Sequence, residues 1–199
     1  MVIKGALTFP GDKSISHRAL MFAALADGES RISNLSTGAD VQSTRECLEA
    51  CGIEIKDDGN DVVVKREQFS DPTKPLDCGN SGTTTRLLLG LLAGQGINAT
   101  LVGDDSLSSR PMNRILDPLS QMGLISESND GKLPITIHKS DMTGIHYESP
   151  VASAQVKSAV FLAALGASGK TSFKEPILSR DHTEKTLHGL GPHISIDGL

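Results

Sequence analysis

PGDKSISHR, at residues 10–18, stands directly before an apolar run from Ala19 to Ala26 that predicts a buried helix. Pro10 and Gly11 separate this helix from a strand-like segment at residues 4–9, so Lys13 and Arg18 fall in its first turns. The first N–H groups of a helix lack internal partners and carry the positive end of its dipole, so added cations oppose helix stability unless an anion binds. The stretch therefore predicts an anion site. The simpler alternative is a capped helix whose cations are solvated or pair with Asp or Glu.

Composition bounds the class of protein. The chain has 199 residues, 38% of them hydrophobic, which is enough to build a real core. Aromatic residues make up only 3% and the net charge is −5, so both base stacking and a basic nucleic-acid surface are disfavoured. Three cysteines without ligand spacing indicate neither disulfides nor a zinc site and fit a reducing cytoplasm. No export signal or membrane-spanning run is apparent, so we expect a cytoplasmic protein with no membrane association.

The chain contains an internal repeat. Three segments share one plan, in which an apolar helix is followed by a strand, an amphipathic helix, a closing glycine and further strands. The closing glycines are Gly52, Gly123 and Gly191, which gives a period of about 70 residues, too long for common solenoids. We predict an α/β (α+β) fold, a pseudo-threefold repeat of βαβαββ units with buried parallel helices surrounded by short sheets and outer helices. The repeats are expected at about 13–66, 76–139 and 147–199, the last one incomplete, with residues 1–12 forming a strand and a crossover region.

The amphipathic helices are predicted at residues 40–50, 111–122 and 181–190, with their charged residues, Glu184 among them, facing water. Pro118 should kink the second of these helices or displace its start. Cys47 and Cys51 lie four residues apart and are expected to be small apolar packing residues. The strands are predicted at 30–35, 53–56, 61–65, 99–102, 124–127, 135–138, 171–175 and 193–197.

Polar residues begin all three apolar helices. If the helices run parallel, their N-termini converge on one end of the domain, and their hydroxyls, amides and cations form a pocket for phosphate oxygens. The residues concerned are Lys13, Ser14, Ser16 and Arg18; Asn80, Ser81, Gly82, Thr83, Thr84 and Arg86; and Ser153, Ala154, Gln155 and Lys157.

Two arginines occupy corresponding places before the second and third amphipathic helices. Arg110 and Arg180 suit bidentate binding of carboxylate or phosphate, but a surface pair, such as Arg180 with Asp181 or Glu184, is an equal alternative. The histidines His17, His182 and His188 lie near the helices without metal-ligand spacing, and capping or packing is their simpler role.

Five motifs, taken in order along the chain, resemble the 5-enolpyruvylshikimate-3-phosphate synthase family. They are PGDKSISHR (10–18), GNSGTTTR (79–86), SRPM (109–112), SAQVKSA (153–159) and SRDHTE (179–184). The SAQVK version is similar to the bacterial class that tolerates glyphosate better. Family members are about twice as long and have two similar domains, so the chain resembles the N-terminal portion, one of the two domains of an enolpyruvyl transferase.

The resemblance implies attack of the 5-hydroxyl of shikimate 3-phosphate on C2 of phosphoenolpyruvate, with phosphate leaving from a tetrahedral intermediate. It implies no metal and no organic cofactor, and a full enzyme that is a monomer. By resemblance, Lys13 is catalytic and reaches both substrates. The residues implied for shikimate 3-phosphate are Lys13, Ser14, Arg18, Ser153, Ala154, Gln155 and Arg180. Those implied for phosphoenolpyruvate are Lys13, Asn80, Gly82, Thr83, Arg110 and Gln155.

The general acid and base groups that the family draws from its other domain have no counterpart before Leu199, so this chain alone is expected to be inactive. Two alternatives stay open from the sequence. One is the related enolpyruvyl transferase acting on UDP-N-acetylglucosamine, and the other is a non-catalytic anion-binding domain of the same fold.

Overall fold

Helices and short strands alternate through residues 10–191 and 194–195, the part of the chain that the computed structural model describes. The predicted strand at 4–9, and most of the predicted crossover region at 1–12, lie outside the described residues. Of the predicted strand at 193–197, only Ile194 and Ser195 are described, and they are not in a strand. The repeat boundaries given above stay a prediction.

The first segment contains two helices and three strands, which are α1 (Lys13–Leu25), β1 (Glu29–Ser33), α2 (Ala39–Ala50), β2 (Glu54–Asp58) and β3 (Asp61–Lys65). The three strands form an antiparallel sheet in the order β1-β3-β2. Strand β2 runs two residues past its predicted end at Lys56, because the hairpin keeps its pairing up to Asp58 and Asp61 on either side of a two-residue turn.

The elements of the second segment are β4 (Leu76–Asp77), α3 (Gly82–Gly94), β5 (Ala99–Val102), α4 (Asp105–Ser108), α5 (Asn113–Gln121), β6 (Ile125–Asn129) and β7 (Lys132–His138). Its strands form a four-stranded sheet in the order β4-β5-β7-β6, in which β4 and β5 are parallel and the other pairs are antiparallel.

Two features of this segment differ from the prediction. The short helix α4 was not predicted, and it begins where the Asp104 carboxylate accepts from the Leu107 N–H at 2.7 Å. Helix α5 begins at Asn113 rather than Pro111 and contains Pro118 in its interior, so Pro118 does not set the start of the helix, and the expected kink stays a prediction.

The third segment pairs two parallel strands and contains the last two helices. Its elements are β8 (His146–Glu148), α6 (Ala154–Ala164), β9 (Ser172–Lys174) and α7 (His182–Leu190). All three closing glycines adopt the left-handed conformation, with φ of 92° at Gly52, 108° at Gly123 and 96° at Gly191. The prediction that glycine ends each outer helix is therefore confirmed, because only glycine takes this conformation without strain.

The apolar helices α3 and α6 run parallel in close contact. A Cβ added at Gly90 would lie 2.1 Å from the Ala159 carbonyl oxygen, and one at Gly94 would lie 2.7 Å from the Ala163 carbonyl oxygen. Gly94 lies four residues after Gly90, and Ala163 lies four residues after Ala159. The two helices therefore run in the same direction, and their N-termini lie at the same end. The small residues of these helices thus permit the close approach that the sequence predicts.

The core is almost entirely aliphatic, and Cys47 and Cys51 are buried in it as predicted. One prediction is wrong: Glu184, on the outer helix α7, is buried rather than solvated, because it pairs with the buried Lys157. No helix among the described residues combines the length and hydropathy needed to cross a membrane.

Candidate functional site

Each of the buried helices α1, α3 and α6 begins with a side-chain cap. Asp12 accepts from the Ile15 N–H at 2.8 Å, and Ser81 accepts from the Thr84 N–H at 3.1 Å. Ser153 accepts from the Val156 N–H at 3.4 Å. Each cap satisfies one N–H group of its helix and leaves others in the first turn free of intrahelical partners.

Polar contacts join the first turns of these three helices to one another. Between α1 and α6, Arg18 Nη2 donates to Ser158 Oγ at 2.7 Å. Between α3 and α6, Gln155 Nε2 donates to Thr83 Oγ1 at 3.1 Å. Every pair thus meets near its N-termini, since α1 and α3 are joined through Thr44 of α2, whose hydroxyl lies 2.7 Å both from His17 Nδ1 and from Thr84 Oγ1. The predicted convergence of the three N-termini on one end of the fold is present in the structure.

At this end, the hydrogen-bond partners of Arg18, Arg86, Arg110 and Arg180 are neutral among the described residues, whereas three arginines elsewhere pair with carboxylates. Arg18 donates to Thr183 Oγ1 at 2.7 Å, the Ser14 carbonyl at 2.8 Å and Ser158, and Arg180 donates to Ser14 Oγ at 3.4 Å. By contrast, the surface residues Arg31, Arg45 and Arg66 each bind an Asp or Glu.

Arg18 illustrates the electrostatic consequence. Its residue is 4% exposed, and burial lowers the pKa of its guanidinium, which the charge of Arg180 lowers further against the opposing effects of Glu184 and Asp12. Three of its five N–H groups have partners among the described residues, which leaves two that can donate to a ligand. A buried cation beside a second cation, with neutral partners only, is a site prepared for an anion.

A second set of cations lies at the start of α3. Arg86 donates to Gln155 Oε1 at 2.8 Å, and Arg110 donates to Asn80 Oδ1 at 2.9 Å. Burial lowers the pKa of Arg86, and the charges of Arg110 and Arg114 lower it further. Gly82 lies against both arginines: a Cβ at this residue would be 2.6 Å from Arg86 Nη1 and 3.6 Å from Arg110 Nη1. Glycine therefore keeps the helix N-terminus open beside two cations.

Lys13 does have a carboxylate partner. Its Nζ lies 2.8 Å from Asp40 Oδ2, and its side chain is 56% exposed. The simpler alternative weighed for the opening stretch therefore holds for Lys13 and not for Arg18. An exposed pair of this kind contributes little stability, so an anion can draw the lysine away from Asp40 at small energetic cost.

The structure brings most of the predicted site residues together in two neighbouring groups. Lys13, Ser14, Arg18 and Arg180 gather at the start of α1, while Asn80, Gly82, Thr83 and Arg110 gather at the start of α3. Gln155, in the first turn of α6, contacts the second group through Thr83 and Arg86. Ser153 and Ala154 begin α6, where the Ser153 hydroxyl caps the helix.

One residue of the predicted pocket lies elsewhere. Lys157 is buried in an ion cluster with Glu175 and Glu184 instead of facing the helix N-termini. Sequence reasoning also missed Thr183 and Ser158 as partners of Arg18, although their spacing puts both on the buried faces of their helices. The alternative pairing of Arg180 with Asp181 or Glu184 is absent among the described contacts, since Asp181 binds Lys185 and Glu184 binds Lys157.

His17 is a packing residue below this site. It is fully buried, and burial lowers its pKa to about 4, with the charge of Asp40 opposing and those of Lys13 and Arg18 reinforcing the shift. Its Nδ1 is hydrogen-bonded to Thr44. Because burial lowers its pKa, the imidazole is neutral near pH 7 and cannot serve as a base that exchanges protons with solvent.

The lowered pKa of His17 makes stability depend on pH. The unfolded histidine, with an ordinary pKa near 6.5, binds more protons than the folded one, so this contribution is complete above that pH and is lost as the pH falls toward 4. Between pH 7.5 and pH 5 the wild-type chain should lose about 2 kcal/mol more unfolding free energy than His17→Gln, as measured by urea unfolding. Equal losses in the two proteins would contradict the burial of a neutral imidazole.

Taken together, the helix N-termini and the arginines can hold small ligands that carry phosphate or carboxylate groups. The two groups of cations suit two anionic ligands side by side, with Gln155 able to contact both.

The chain is similar to known proteins over nearly its whole length. Residues 2–198 match the family model described as EPSP synthase (3-phosphoshikimate 1-carboxyvinyltransferase). A protein of Brevibacillus brevis named 3-phosphoshikimate 1-carboxyvinyltransferase is 49% identical over 202 residues, covering 99% of this chain and 47% of its own length. One of Bacillus cytotoxicus with the same name is 46% identical over 201 residues, covering 98% of this chain and 47% of its own length.

A solved structure described as EPSP synthase from Acinetobacter baumannii superposes with a TM-score of 0.92 at 39% identity. The match covers 98% of this chain and 45% of that chain. The chain therefore spans about half the length of the relatives and of the solved structure that it matches.

Proposed function

The chain belongs to the EPSP synthase family, and from this premise we propose that it supplies one half of a site that transfers the enolpyruvyl group from phosphoenolpyruvate to the 5-hydroxyl of shikimate 3-phosphate. The observation that carries the proposal is the convergence of three helix N-termini on arginines whose partners are neutral. The relatives' name, 3-phosphoshikimate 1-carboxyvinyltransferase, describes a carboxyvinyl transfer that involves a phosphorylated shikimate.

The two groups of cations divide between the substrates. Arg18, Ser14 and Arg180, with Ser153 and Ala154 at the start of α6, would bind the phosphate and ring of shikimate 3-phosphate. Asn80, Gly82, Thr83 and Arg110 would face phosphoenolpyruvate, and Gln155 would contact both ligands. The cations and helix N-termini of the two groups hold the anionic substrates side by side, which lowers the entropic barrier to their reaction.

Lys13 is the proposed catalytic residue. Its side chain is long, half-exposed and paired with Asp40, so it can turn to contact both substrates once they bind. An ammonium group placed there stabilises negative charge that develops on phosphoenolpyruvate and on the departing phosphate. None of these steps calls for a metal or an organic cofactor.

The proposal also concerns the half of the relatives' length that this chain does not cover. A second domain of the same enzyme would face the exposed Lys13 and Arg180 and supply the acid and base groups, and we expect the full enzyme to be a cytoplasmic monomer. Assayed alone, the 199-residue chain should show no turnover. Measurable turnover by the purified chain would contradict this part of the proposal.

Calorimetry on the 199-residue chain tests the substrate assignment. Titration at pH 7 should give a Kd of about 1 mM or tighter for shikimate 3-phosphate, which corresponds to about −4 kcal/mol. Shikimate without its phosphate should bind at least tenfold more weakly, because the arginines recognise the phosphate. Tighter binding of UDP-N-acetylglucosamine than of shikimate 3-phosphate would favour the other enolpyruvyl transferase and overturn the proposal.

A further inference from the structure

Lys157 forms a buried ion cluster that the proposed chemistry leaves without a role. Its Nζ lies 2.7 Å from Glu175 Oε1 and also contacts Glu184 Oε1, and all three side chains are less than 10% exposed. Burial alone would lower the pKa of Lys157, but the hydrogen bonds and charges of Glu175 and Glu184 raise it, so the lysine is charged at neutral pH. Both carboxylates thus have Lys157 as their ion-pair partner among the described residues, and Glu184 also interacts electrostatically with Arg18.

The two carboxylates stand at the two ends of one exposed segment. Glu175 directly follows β9, and Glu184 lies in the first turn of α7, so the lysine of α6 holds both ends of residues 175–184. Between them, residues 176–181 form no helix or strand and include the exposed Ile177, Leu178 and Arg180. Irregular segments of this kind keep one conformation only when their backbone groups and ends are tied.

A further contact extends the cluster into this segment. The Ser179 N–H donates to Glu175 Oε1 at 2.9 Å, the same oxygen that accepts from Lys157. Ser179 immediately precedes Arg180, whose guanidinium reaches Ser14 Oγ at the start of α1. A chain of charge-assisted contacts therefore runs from Lys157 through Glu175 to the backbone beside Arg180.

The other end of the segment is tied in the same way. Thr183, next to Glu184, accepts from Arg18 Nε and lies 2.7 Å from Ser158 Oγ, and Ser158 directly follows Lys157 on α6. By fixing the first turn of α7, the Lys157–Glu184 pair also fixes the hydroxyl that orients the Arg18 guanidinium.

We propose that Lys157 is a positioning residue, which acts through Glu175 and Glu184 to hold Arg180 and Arg18 in the geometry that binds the phosphate of shikimate 3-phosphate. The lysine is buried away from the ligands and touches neither of them. This inference rests on the proposed function, and it assigns to the cluster an effect on one substrate and not on the other, because the residues proposed for phosphoenolpyruvate alone lie around α3.

The test replaces Lys157 by Met in the 199-residue chain and measures two things. Amide hydrogen exchange at Ser179 should accelerate at least tenfold relative to exchange in α3, and the Kd for shikimate 3-phosphate should rise about tenfold. The Kd for phosphoenolpyruvate should change less than twofold. Lys157→Arg, which keeps the charge, should restore most of the affinity. Lys174→Met, which removes an exposed lysine paired with Glu148, is the matched control and should change neither measurement.

Glu175→Met keeps the test decisive if the two carboxylates prevent Lys157→Met from folding. It leaves a balanced Lys157–Glu184 pair and removes the acceptor of the Ser179 N–H, so it should fold and show the same two effects. Unchanged Ser179 exchange in a folded variant, or an equal loss of affinity for both substrates, would overturn the positioning role. Failure of the wild-type chain to bind shikimate 3-phosphate would instead defeat the proposed function, while the exchange measurement would still decide whether the cluster holds the segment.

Discussion

Gly90→Ala is expected to destabilise the chain by about 3 kcal/mol or more, which for a protein of this size lowers the Tm by roughly 10 °C. The added Cβ would lie 2.1 Å from the Ala159 carbonyl oxygen and 2.8 Å from the Ala159 Cα. Both atoms belong to the backbone of α6, so the clash cannot be relieved by turning a side chain. Helices α3 and α6 must separate, which also pulls Gln155 away from Thr83.

Gly189→Ala is the matched control for this prediction. Gly189 lies in helix α7, and a Cβ there would meet no atom of the described residues within 4 Å. Alanine should therefore leave stability unchanged or raise it by up to about 1 kcal/mol through its helix propensity. Thermal unfolding of both variants provides the comparison. Equal stability of Gly90→Ala and the wild-type chain would contradict the close parallel packing of α3 and α6.

Arg18→Met is expected to weaken shikimate 3-phosphate binding by about 2–3 kcal/mol, or roughly 30- to 150-fold, because charge-assisted hydrogen bonds contribute about this much. The same substitution should leave the unfolding free energy within about 1 kcal/mol of wild type or raise it. The buried guanidinium has neutral partners, so an apolar side chain of similar length removes a desolvation penalty. A buried guanidinium that lowers the stability of the fold is typical of a residue retained for binding.

Calorimetric titration and urea unfolding of Arg18→Met measure the two effects separately. Arg31→Met is the control, since it removes an exposed arginine that binds Asp58 and Asp61 on the first sheet, and it should leave affinity unchanged. A large loss of stability in Arg18→Met, with affinity preserved, would show that Arg18 is a structural residue and would contradict its place in the site.

The parts of the fold that the sequence predicts are those set by local signals. The apolar run after Arg18, the amphipathic pattern of α2 and the glycines that end the outer helices each depend on residues a few positions apart. The short helix α4 was missed because a single aspartate cap on a four-residue turn leaves no periodic pattern.

The site was predicted in part for the same reason. The helix N-termini and their arginines are visible in the sequence, but the partner of each cation is decided by contacts between distant segments. Lys13 begins α1, and Lys157 lies in the first turn of α6. Lys13 is half-exposed beside Asp40, whereas Lys157 is buried with two glutamates. Glu184 looked like a solvated residue because its partner comes from another helix.

The central claim is that the N-terminal turns of α1, α3 and α6 meet in one anion site, in which those of α1 and α6 hold shikimate 3-phosphate and that of α3 faces phosphoenolpyruvate. Titration of the isotope-labelled 199-residue chain with millimolar shikimate 3-phosphate, followed by amide chemical shifts, tests it most directly. We expect saturable shifts at Ser14, Ala154 and Gln155 with one common Kd, and little change in the distant β2–β3 hairpin. No saturable shift, or shifts confined to α1 or to α6 alone, would contradict it.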